Sequence, residues 1–352
     1  MKKKSVAIVV PCIEKGGGVP SLALYLYKAL SIYSNYQIDI ISISTSRYDK
    51  NSTKIFSPKT WVKGIKVSEK KRNSINIINV GAYFTELEFM RYMPRKILTD
   101  ILSQYNIVHV VSGTPAWGYI CKNLRNNVFF HIATLSVLER QSLISSQPFI
   151  RRQYTIIMSK VTNLFDQISL KYAKDIFVLN DHMLKTINNF GYTNVTLSPP
   201  GLDTSLYANN DKKGNYIISV ARYNDPRKNI RLLYDAFKIV KSSNNSDIRM
   251  IIASKYKIKD ADIDYANKIG IDDYIDYNIG ANDNDLRRLY FKSKFFVLSS
   301  NEEGFGIVII EAMASGLPVI STRCGGPESI INNGFNGYLV SKNNPKEMAK
   351  YM

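Results

Sequence analysis

Two glutamates and a glycine turn lie close together near the C-terminal end of the sequence. Glu303 is followed by Gly304 and Gly306, and Glu311 comes eight residues after Glu303. The glycines permit a tight turn whose backbone can approach a ligand, and the helix expected after them directs unpaired N–H groups into the same space, which favours a phosphate. Carboxylates repel phosphate but accept hydrogen bonds from hydroxyl groups, so the pattern predicts a ligand with both parts, a nucleotide sugar.

Two cations precede this segment in the same half of the sequence. Arg222 and Lys228 follow an apolar run, residues 216–221, that predicts a buried strand. Two positive charges near a helix N-terminus suit a diphosphate leaving group, because they stabilise the charge that grows as a glycosidic bond breaks. Taken alone, Glu303 and Glu311 would be interpreted first as a helix cap and a surface charge. Their combination with the cations favours a ligand site.

The elements that would position these residues alternate regularly along the chain. Short runs rich in Val and Ile alternate with amphipathic stretches, which is typical of an α/β protein with parallel sheets. Residues 198–201, with two prolines and a glycine, separate two such series. We therefore predict two Rossmann-like domains, residues 1–200 and 201–352, that face one another across a cleft at the carboxyl ends of their strands. Strands are predicted near 5–10, 37–43, 75–80, 107–111, 127–132, 175–179, 194–198, 216–221, 249–253, 295–299 and 317–321.

The composition is that of a folded and strongly basic protein. The 352 residues exceed what one hydrophobic core usually serves, and the net charge is +18. Residues 1–180 hold 25 Lys and Arg against 10 Asp and Glu, with the densest basic stretch at 47–96. This excess predicts a polyanionic partner, although a solvated basic face is an equal alternative. Nucleic acid is not the expected partner, because no recognised nucleic-acid-binding module is present.

Metal and redox chemistry have little support in the sequence. Cys12, Cys121 and Cys324 are too far apart for a disulfide framework or a zinc site. Asp283 and Asp285 match the letters of a D-x-D metal motif, but they open a predicted helix, where Asp is a common cap. We therefore expect neither a metal nor a cofactor. No apolar run approaches the roughly 20 residues that span a bilayer, so any membrane contact should be peripheral.

Several of these motifs together resemble a known family. The second half of the chain is similar to the retaining GT-B glycosyltransferases of glycosyltransferase family 4, also called glycosyl transferases group 1. The resemblance rests on Arg222, Lys228 and the Glu303–Glu311 segment, and it extends to residues 317–322, 325–329 and 334–340. In the first half it rests on the Gly16–Gly18 turn, residues 108–110, His131, residues 172–180 and residues 198–203. Family members continue past a segment like 344–348 with further helices, so we expect the second domain to lack these terminal helices.

The resemblance implies a role for each donor-binding residue. Arg222 and Lys228 would bind the diphosphate of a UDP- or GDP-sugar. Glu311 would hold the ribose hydroxyls, and Glu303 the transferred sugar.

Backbone groups and one histidine complete the site that the resemblance implies. Gly304, Phe305 and Gly306 would meet the distal phosphate through their backbone. Gly17 and Gly18 would approach the same phosphate from the first domain, and His131 would lie near the transferred sugar and the reacting centre.

Three functions remain open at this point. The first is a retaining, metal-independent hexosyltransferase acting on a lipid-linked or polymeric glycan. It would be a cytoplasmic protein held at the inner face of the cell membrane by an anionic lipid surface. The second is a soluble glycosyltransferase with a small phosphorylated acceptor. The third is a non-catalytic nucleotide-sugar-binding partner.

Overall fold

The proline-glycine segment divides the chain into two units, Met1–Gly201 and Leu202–Met352. The computed structural model describes residues 4–15, 17–72, 75–144, 147–207, 214–243 and 247–352. The division falls one residue after the boundary that the sequence predicts, between residues 200 and 201.

The first unit is built on an eight-stranded sheet covered by helices. Its elements are β1 (Ser5–Pro11), α1 (Gly18–Tyr33), β2 (Gln37–Ile43), α2 (Pro58–Lys63), β3 (Val67–Arg72), β4 (Ile75–Val80), α3 (Lys96–Leu102), β5 (Ile107–Ser112), β6 (Asn127–Ile132), α4 (Ser136–Ile144), α5 (Phe149–Tyr172), β7 (Asp175–Val178), α6 (Asp181–Asn189) and β8 (Val195–Leu197). The strand order is β3-β4-β2-β1-β5-β6-β7-β8. Every neighbouring pair is parallel except β3 with β4. The central strands are buried on both faces, which explains why they appear in the sequence as continuous apolar runs.

The second unit has the same architecture on a smaller scale. Its elements are β9 (Tyr216–Val220), α7 (Ile230–Ser243), β10 (Arg249–Ser254), α8 (Asp260–Lys268), β11 (Ile275–Ile279), α9 (Asp283–Lys292), β12 (Ser293–Leu298), α10 (Ile307–Ala314), β13 (Val319–Thr322), β14 (Gly337–Val340) and α11 (Pro345–Tyr351). Six parallel strands follow the order β11-β10-β9-β12-β13-β14. This is the order of a doubly wound dinucleotide-binding sheet. The predicted α/β class with two Rossmann-like units is therefore confirmed.

Three strands of the structure are not predicted by the sequence pattern. The strand β3 reads Val-Ser-Glu-Lys-Lys-Arg and is exposed throughout, so it offers no apolar run to detect. It pairs with β4 at the edge of the sheet, inside the basic stretch 47–96. The short strands β11 and β14 were also missed, because polar residues and glycine interrupt their apolar character.

The helices of the described residues do not include a membrane span. None of them is both long enough and apolar enough to cross a bilayer.

Candidate functional site

The carboxyl ends of β9 and β12 lie side by side where the strand order of the second unit reverses. The strands β10 and β11 continue on one side of this pair, and β13 and β14 on the other. Open parallel sheets bind ligands in the crevice at such a reversal. Lys228 lies in the loop after β9 and Glu303 in the loop after β12, so the fold brings both residues to this position.

Lys228 and Glu303 form a largely buried ion pair. The distance from Nζ of Lys228 to Oε1 of Glu303 is 2.5 Å, and the two side chains are 10% and 14% exposed. The hydroxyl of Ser300 donates to the same carboxylate oxygen at 2.9 Å. Charges withdrawn from water are costly unless they are paired and hydrogen-bonded, and this pair meets both conditions. The structure thus joins two residues that the sequence assigned to different parts of one ligand.

Further hydrogen bonds tie the two loops together around this pair. The Ser299 hydroxyl donates to the backbone oxygen of Lys228 at 3.0 Å. The backbone N–H of Asn301 donates to the Arg227 oxygen at 2.7 Å. Asn229 donates from its side chain to that of Asn301 at 3.1 Å, and its φ of 43° lies in the left-handed region that asparagine tolerates. These serine and asparagine partners were not identified from the sequence.

The loop after β9 contains two arginines with different surroundings. Arg227 pairs with Asp225. The Asp225 carboxylate accepts a hydrogen bond from the Arg227 guanidinium at 2.8 Å and another from the Arg227 backbone N–H, which caps the turn. Burial disfavours the charged form of Asp225, but these bonds outweigh burial and lower its pKa. Arg222, the predicted diphosphate ligand, is exposed and makes no ion pair with a carboxylate of the described ranges. Its guanidinium is therefore available to an anion.

A glycine turn connects Glu303 to the N-terminus of α10. Gly306 caps the helix at φ 99° and ψ 55°, a conformation that favours glycine, and Phe305 before it is buried. Gly304, the first glycine of the turn, is partly buried. A second backbone segment packs directly behind this turn. A Cβ added to Gly326 would lie 2.3 Å from the backbone oxygen of Phe305, so only glycine fits there.

Glu311 occupies the second turn of α10, as the sequence predicts, but it is held by tyrosines. Tyr290 at the end of α9 donates its hydroxyl to Oε2 of Glu311 at 3.0 Å, and Tyr207 is a second partner. Burial raises the pKa of Glu311 to about 7, and the tyrosine hydrogen bonds only partly offset this effect. Neither tyrosine was singled out in the sequence.

The predicted glycines of the first unit lie at the start of α1. Gly17 caps this helix at φ 96° and is exposed, and Gly18 is the first helical residue and is also exposed. Gly16 lies outside the described residues. The turn follows β1, which with β5 flanks the point where the strand order of this sheet reverses.

His131, the predicted residue of the reacting centre, is buried near the end of β6. Its Nε2 lies 2.9 Å from the backbone oxygen of Ser198, and Nδ1 has no hydrogen-bond partner among the described residues. Burial lowers its pKa, and the hydrogen bond with Ser198 opposes this effect. His109 lies beside it with ring centroids 5.8 Å apart, and burial lowers the pKa of His109 to about 3. Both imidazoles are therefore neutral at pH 7, and a reacting role for His131 stays a prediction.

A polar cavity opens at the carboxyl ends of β1, β2 and β4. It measures about 630 Å³, and its lining includes Cys12, Ser44, Asp49, Lys50 and Lys70. Ser44 is buried, and its hydroxyl has no partner among the described residues. Glu14 and Glu69 also line the cavity, and Glu14 pairs with Lys70 at 2.9 Å. Hydroxyl, carboxylate and ammonium groups together suit a hydroxyl-bearing ligand.

A second cavity, of about 510 Å³, lies in the second unit at the opposite edge of its sheet. Lys294, Val319 and Gly337, near the start of β12, β13 and β14, line it. None of the predicted site residues lines this cavity.

The Asp283–Asp285 triplet forms the first turn of α9, as the sequence predicts. Asn282 caps α9, and the Asp285 carboxylate receives the Asn282 N–H at 3.2 Å in a capping box. In the part of the chain that the structure describes, no group of three or more His, Cys, Asp or Glu side chains is arranged to hold a metal.

We predict that Gly326→Ala destabilises the second unit by about 2 kcal/mol or more, because the methyl group overlaps the Phe305 backbone. Gly113→Ala is the control, since a Cβ there meets nothing within 4 Å. Urea unfolding followed by circular dichroism measures both. Equal midpoints for the two variants would contradict the close packing of the turns.

The raised pKa of Glu311 makes its contribution to stability depend on pH. Between its ordinary value of 4.5 and about 7, the unfolded carboxyl ionises while the folded one stays protonated, so the wild type loses stability as pH rises. We predict that Glu311→Gln gains about 2 kcal/mol relative to wild type between pH 5 and pH 8. Asp264→Asn, at an exposed position of α8, is the control. A difference between Glu311→Gln and wild type that is constant over this range argues against the pKa shift.

The second unit is similar to a family of known proteins. Residues 207–352 match the family model described as glycosyl transferases group 1. A probable sucrose-phosphate synthase of Thermosipho melanesiensis is 34% identical over 158 residues, which are 41% of this chain and 36% of that protein. The chain thus matches only about a third of the length of that relative.

Solved structures resemble almost the whole chain. A sucrose-phosphate synthase from Thermosynechococcus elongatus superposes with a TM-score of 0.75 and 16% identity, covering 99% of this chain and 88% of the other. The HepE protein of Anabaena, solved in complex with UDP-glucose, gives a TM-score of 0.70 and 14% identity, covering 98% and 88%. These proteins share the GT-B fold predicted from the sequence. The chain has this fold, and its residues 207–352 are similar to the glycosyl transferases group 1 family.

Proposed function

We propose that the chain is a retaining glycosyltransferase that moves a hexose from a UDP- or GDP-sugar to a lipid-linked or polymeric glycan at the inner face of the membrane. The observation that carries the proposal is the buried Lys228–Glu303 pair beside the glycine turn of α10. The family match of residues 207–352 supports the reaction class, and the UDP-glucose complex of the HepE protein supports the donor class.

A nucleotide sugar suits this pair because it can satisfy both charges. The diphosphate would replace Glu303 as the partner of Lys228, and the sugar hydroxyls would donate to the carboxylate thus released. Arg222, exposed at the start of the loop after β9, would add a second positive charge to the diphosphate. Glu311, on a separate turn of α10, would accept hydrogen bonds from the ribose.

The proposed reaction proceeds on one face of the sugar. The bond from the anomeric carbon to the diphosphate breaks as the acceptor oxygen bonds to that carbon on the same side. The acceptor proton passes to the departing phosphate oxygen. Lys228, Arg222 and the N–H groups that begin α10 stabilise the growing charge, so the step uses neither a carboxylate nucleophile nor a metal. The roles assigned to Gly17, Gly18 and His131 belong to the same proposal.

The acceptor has two candidates. A lipid-linked or polymeric glycan is favoured by the basic first half, with 25 Lys and Arg among residues 1–180. A small phosphorylated acceptor is favoured by the sugar phosphate in the name of the sucrose-phosphate synthase relative. Incubation with a panel of nucleotide sugars, with either lipid-pyrophosphate oligosaccharides or sugar phosphates, distinguishes them through release of nucleoside diphosphate.

We predict that Glu303→Gln lowers nucleoside diphosphate release by roughly 100-fold at saturating donor and acceptor, because the neutral amide holds the sugar less strongly as positive charge develops. Glutamine keeps an oxygen for Ser300 and Lys228 but leaves the Lys228 charge uncompensated, so a thermal melt checks that the variant is folded at the assay temperature. Glu302→Gln, the adjacent residue of the same type, should retain wild-type release. Absence of release from any donor, or equal rates for wild type and Glu303→Gln, would refute the proposed activity.

We predict that Arg222→Ala weakens binding of the preferred nucleoside diphosphate by roughly 10- to 100-fold, the usual cost of losing a charged hydrogen bond. Its unfolding free energy should stay within about 0.5 kcal/mol of wild type, since the side chain is exposed. Isothermal titration calorimetry measures the affinity, and Arg288→Ala, at an exposed position of α9, is the control. Identical affinities for the two variants would remove Arg222 from the site.

A further inference from the structure

The long helix α5 presents an apolar stripe to solvent. Ile150, Tyr154, Ile157 and Leu164 recur at intervals of four, three and seven residues, so they share one face of the helix. Ile150 is 84% exposed and Ile157 61%. Four exposed large apolar side chains in one row are more than the scattered apolar residues of an ordinary surface.

The opposite face fixes the orientation of α5. Met158 and Phe165 are buried, and the ring of Phe165 stacks on Tyr119 at 4.3 Å between centroids. Asp166 is also buried and accepts hydrogen bonds from the N–H groups of Ala116 at 2.6 Å and Ser136 at 2.8 Å. Turning the helix to hide the apolar stripe would break these contacts. The stripe is therefore held outward by the packing of the unit.

Every exposed charge on α5 is positive. Arg151, Arg152, Lys160 and Lys171 are exposed, while Asp166, the one acidic residue in this stretch of sequence, is buried. Arg151 and Arg152 lie in the first turn, which has no acidic residue to complement the positive end of the helix dipole. This placement disfavours the helix by itself, and an external anion would offset the cost.

Among the described residues, no ion pair joins a carboxylate to the exposed arginines or lysines of α5. Glu88 pairs with Arg140 of α4, and Glu139 on the same helix is partly buried.

We propose that the exposed face of α5 is the element that contacts an anionic lipid bilayer. Its apolar stripe would enter the boundary between headgroups and acyl chains, and its arginines and lysines would lie against lipid phosphates, as in interfacial amphipathic helices. A second copy of the chain is a poorer occupant, because it would place one cationic helix against another. The inference rests on the membrane location within the proposed function and is independent of the transfer chemistry.

Flotation of the full chain with vesicles tests the proposal. Vesicles of equal parts phosphatidylglycerol and phosphatidylcholine should bind wild type, and pure phosphatidylcholine vesicles should bind it far less. The double variant Ile150→Ser/Ile157→Ser should lower the partition coefficient at least 10-fold. Arg151→Gln/Arg152→Gln should lower it on the order of 10-fold, with a weaker dependence on salt. Phe335→Ser, which removes an apolar residue 85% exposed in the second unit, is the matched control and should bind as wild type does.

The outcomes separate this inference from the proposals on which it rests. If wild type fails to bind anionic vesicles, the membrane location and the role of α5 are both overturned, whereas the donor assays decide the enzymatic activity independently. If wild type binds and the isoleucine variant binds equally well, α5 is not the contact, while the membrane location stands. If the isoleucine variant converts a dimer to a monomer on size exclusion without changing vesicle binding, the stripe is a contact between copies. Release of nucleoside diphosphate with a soluble acceptor should be the same in all variants, which excludes misfolding.

Discussion

The ion pair between Lys228 and Glu303 is the interaction on which the arrangement of the second unit's site depends. It joins the loops that leave β9 and β12, two strands that neighbour one another in the sheet although 75 residues separate the pair along the chain. Loss of either partner would leave a buried charge without compensation, a defect that commonly costs about 3–5 kcal/mol. The serine and asparagine hydrogen bonds around it then fix both loops relative to the sheet. A ligand could also replace this contact, because an anionic group can pair with Lys228 and a hydroxyl group can donate to Glu303.

The remainder of the site follows from the backbone that surrounds this pair. The left-handed turn at Gly306 redirects the chain within a few residues, so α10 starts beside Glu303 with its first N–H groups unpaired. The glycine at position 326 lets a second strand-to-helix connection support that turn at close range. Glu311 then has hydrogen-bond partners distinct from those of Glu303, namely Tyr290 and Tyr207 rather than Lys228 and Ser300. One acidic residue thus lies in a charged environment and the other in an aromatic one, where burial raises the pKa of Glu311.

Much of this organisation could be predicted from the sequence, and the exceptions have physical reasons. Buried parallel strands leave continuous apolar runs, so most strands of both sheets were located to within one or two residues. The exposed strand β3 has no apolar run, and its pairing with β4 is visible only in the folded structure. Likewise, the spacing of Glu303 and Glu311 indicated a helix with a carboxylate on its second turn. It could not reveal that Lys228 neutralises Glu303, or that His131 contacts the backbone of Ser198, because neither partner is near in sequence. Tyr290 was missed for the same reason, since a tyrosine at the end of an amphipathic helix resembles any other core residue.

The charged strand β3 has a consequence for the behaviour of the protein in concentrated solution. It forms one border of the eight-stranded sheet, and the other border is β8, with only three residues. An open sheet border offers unpaired backbone groups to any passing extended chain. On β3, the consecutive side chains of Glu69, Lys70, Lys71 and Arg72 make such pairing costly in desolvation, and β8 is too short to template a long partner. A sheet this rich in valine and isoleucine can therefore remain unassociated without a cover over either border, and the same charges that suggested a polyanionic partner also guard against aggregation.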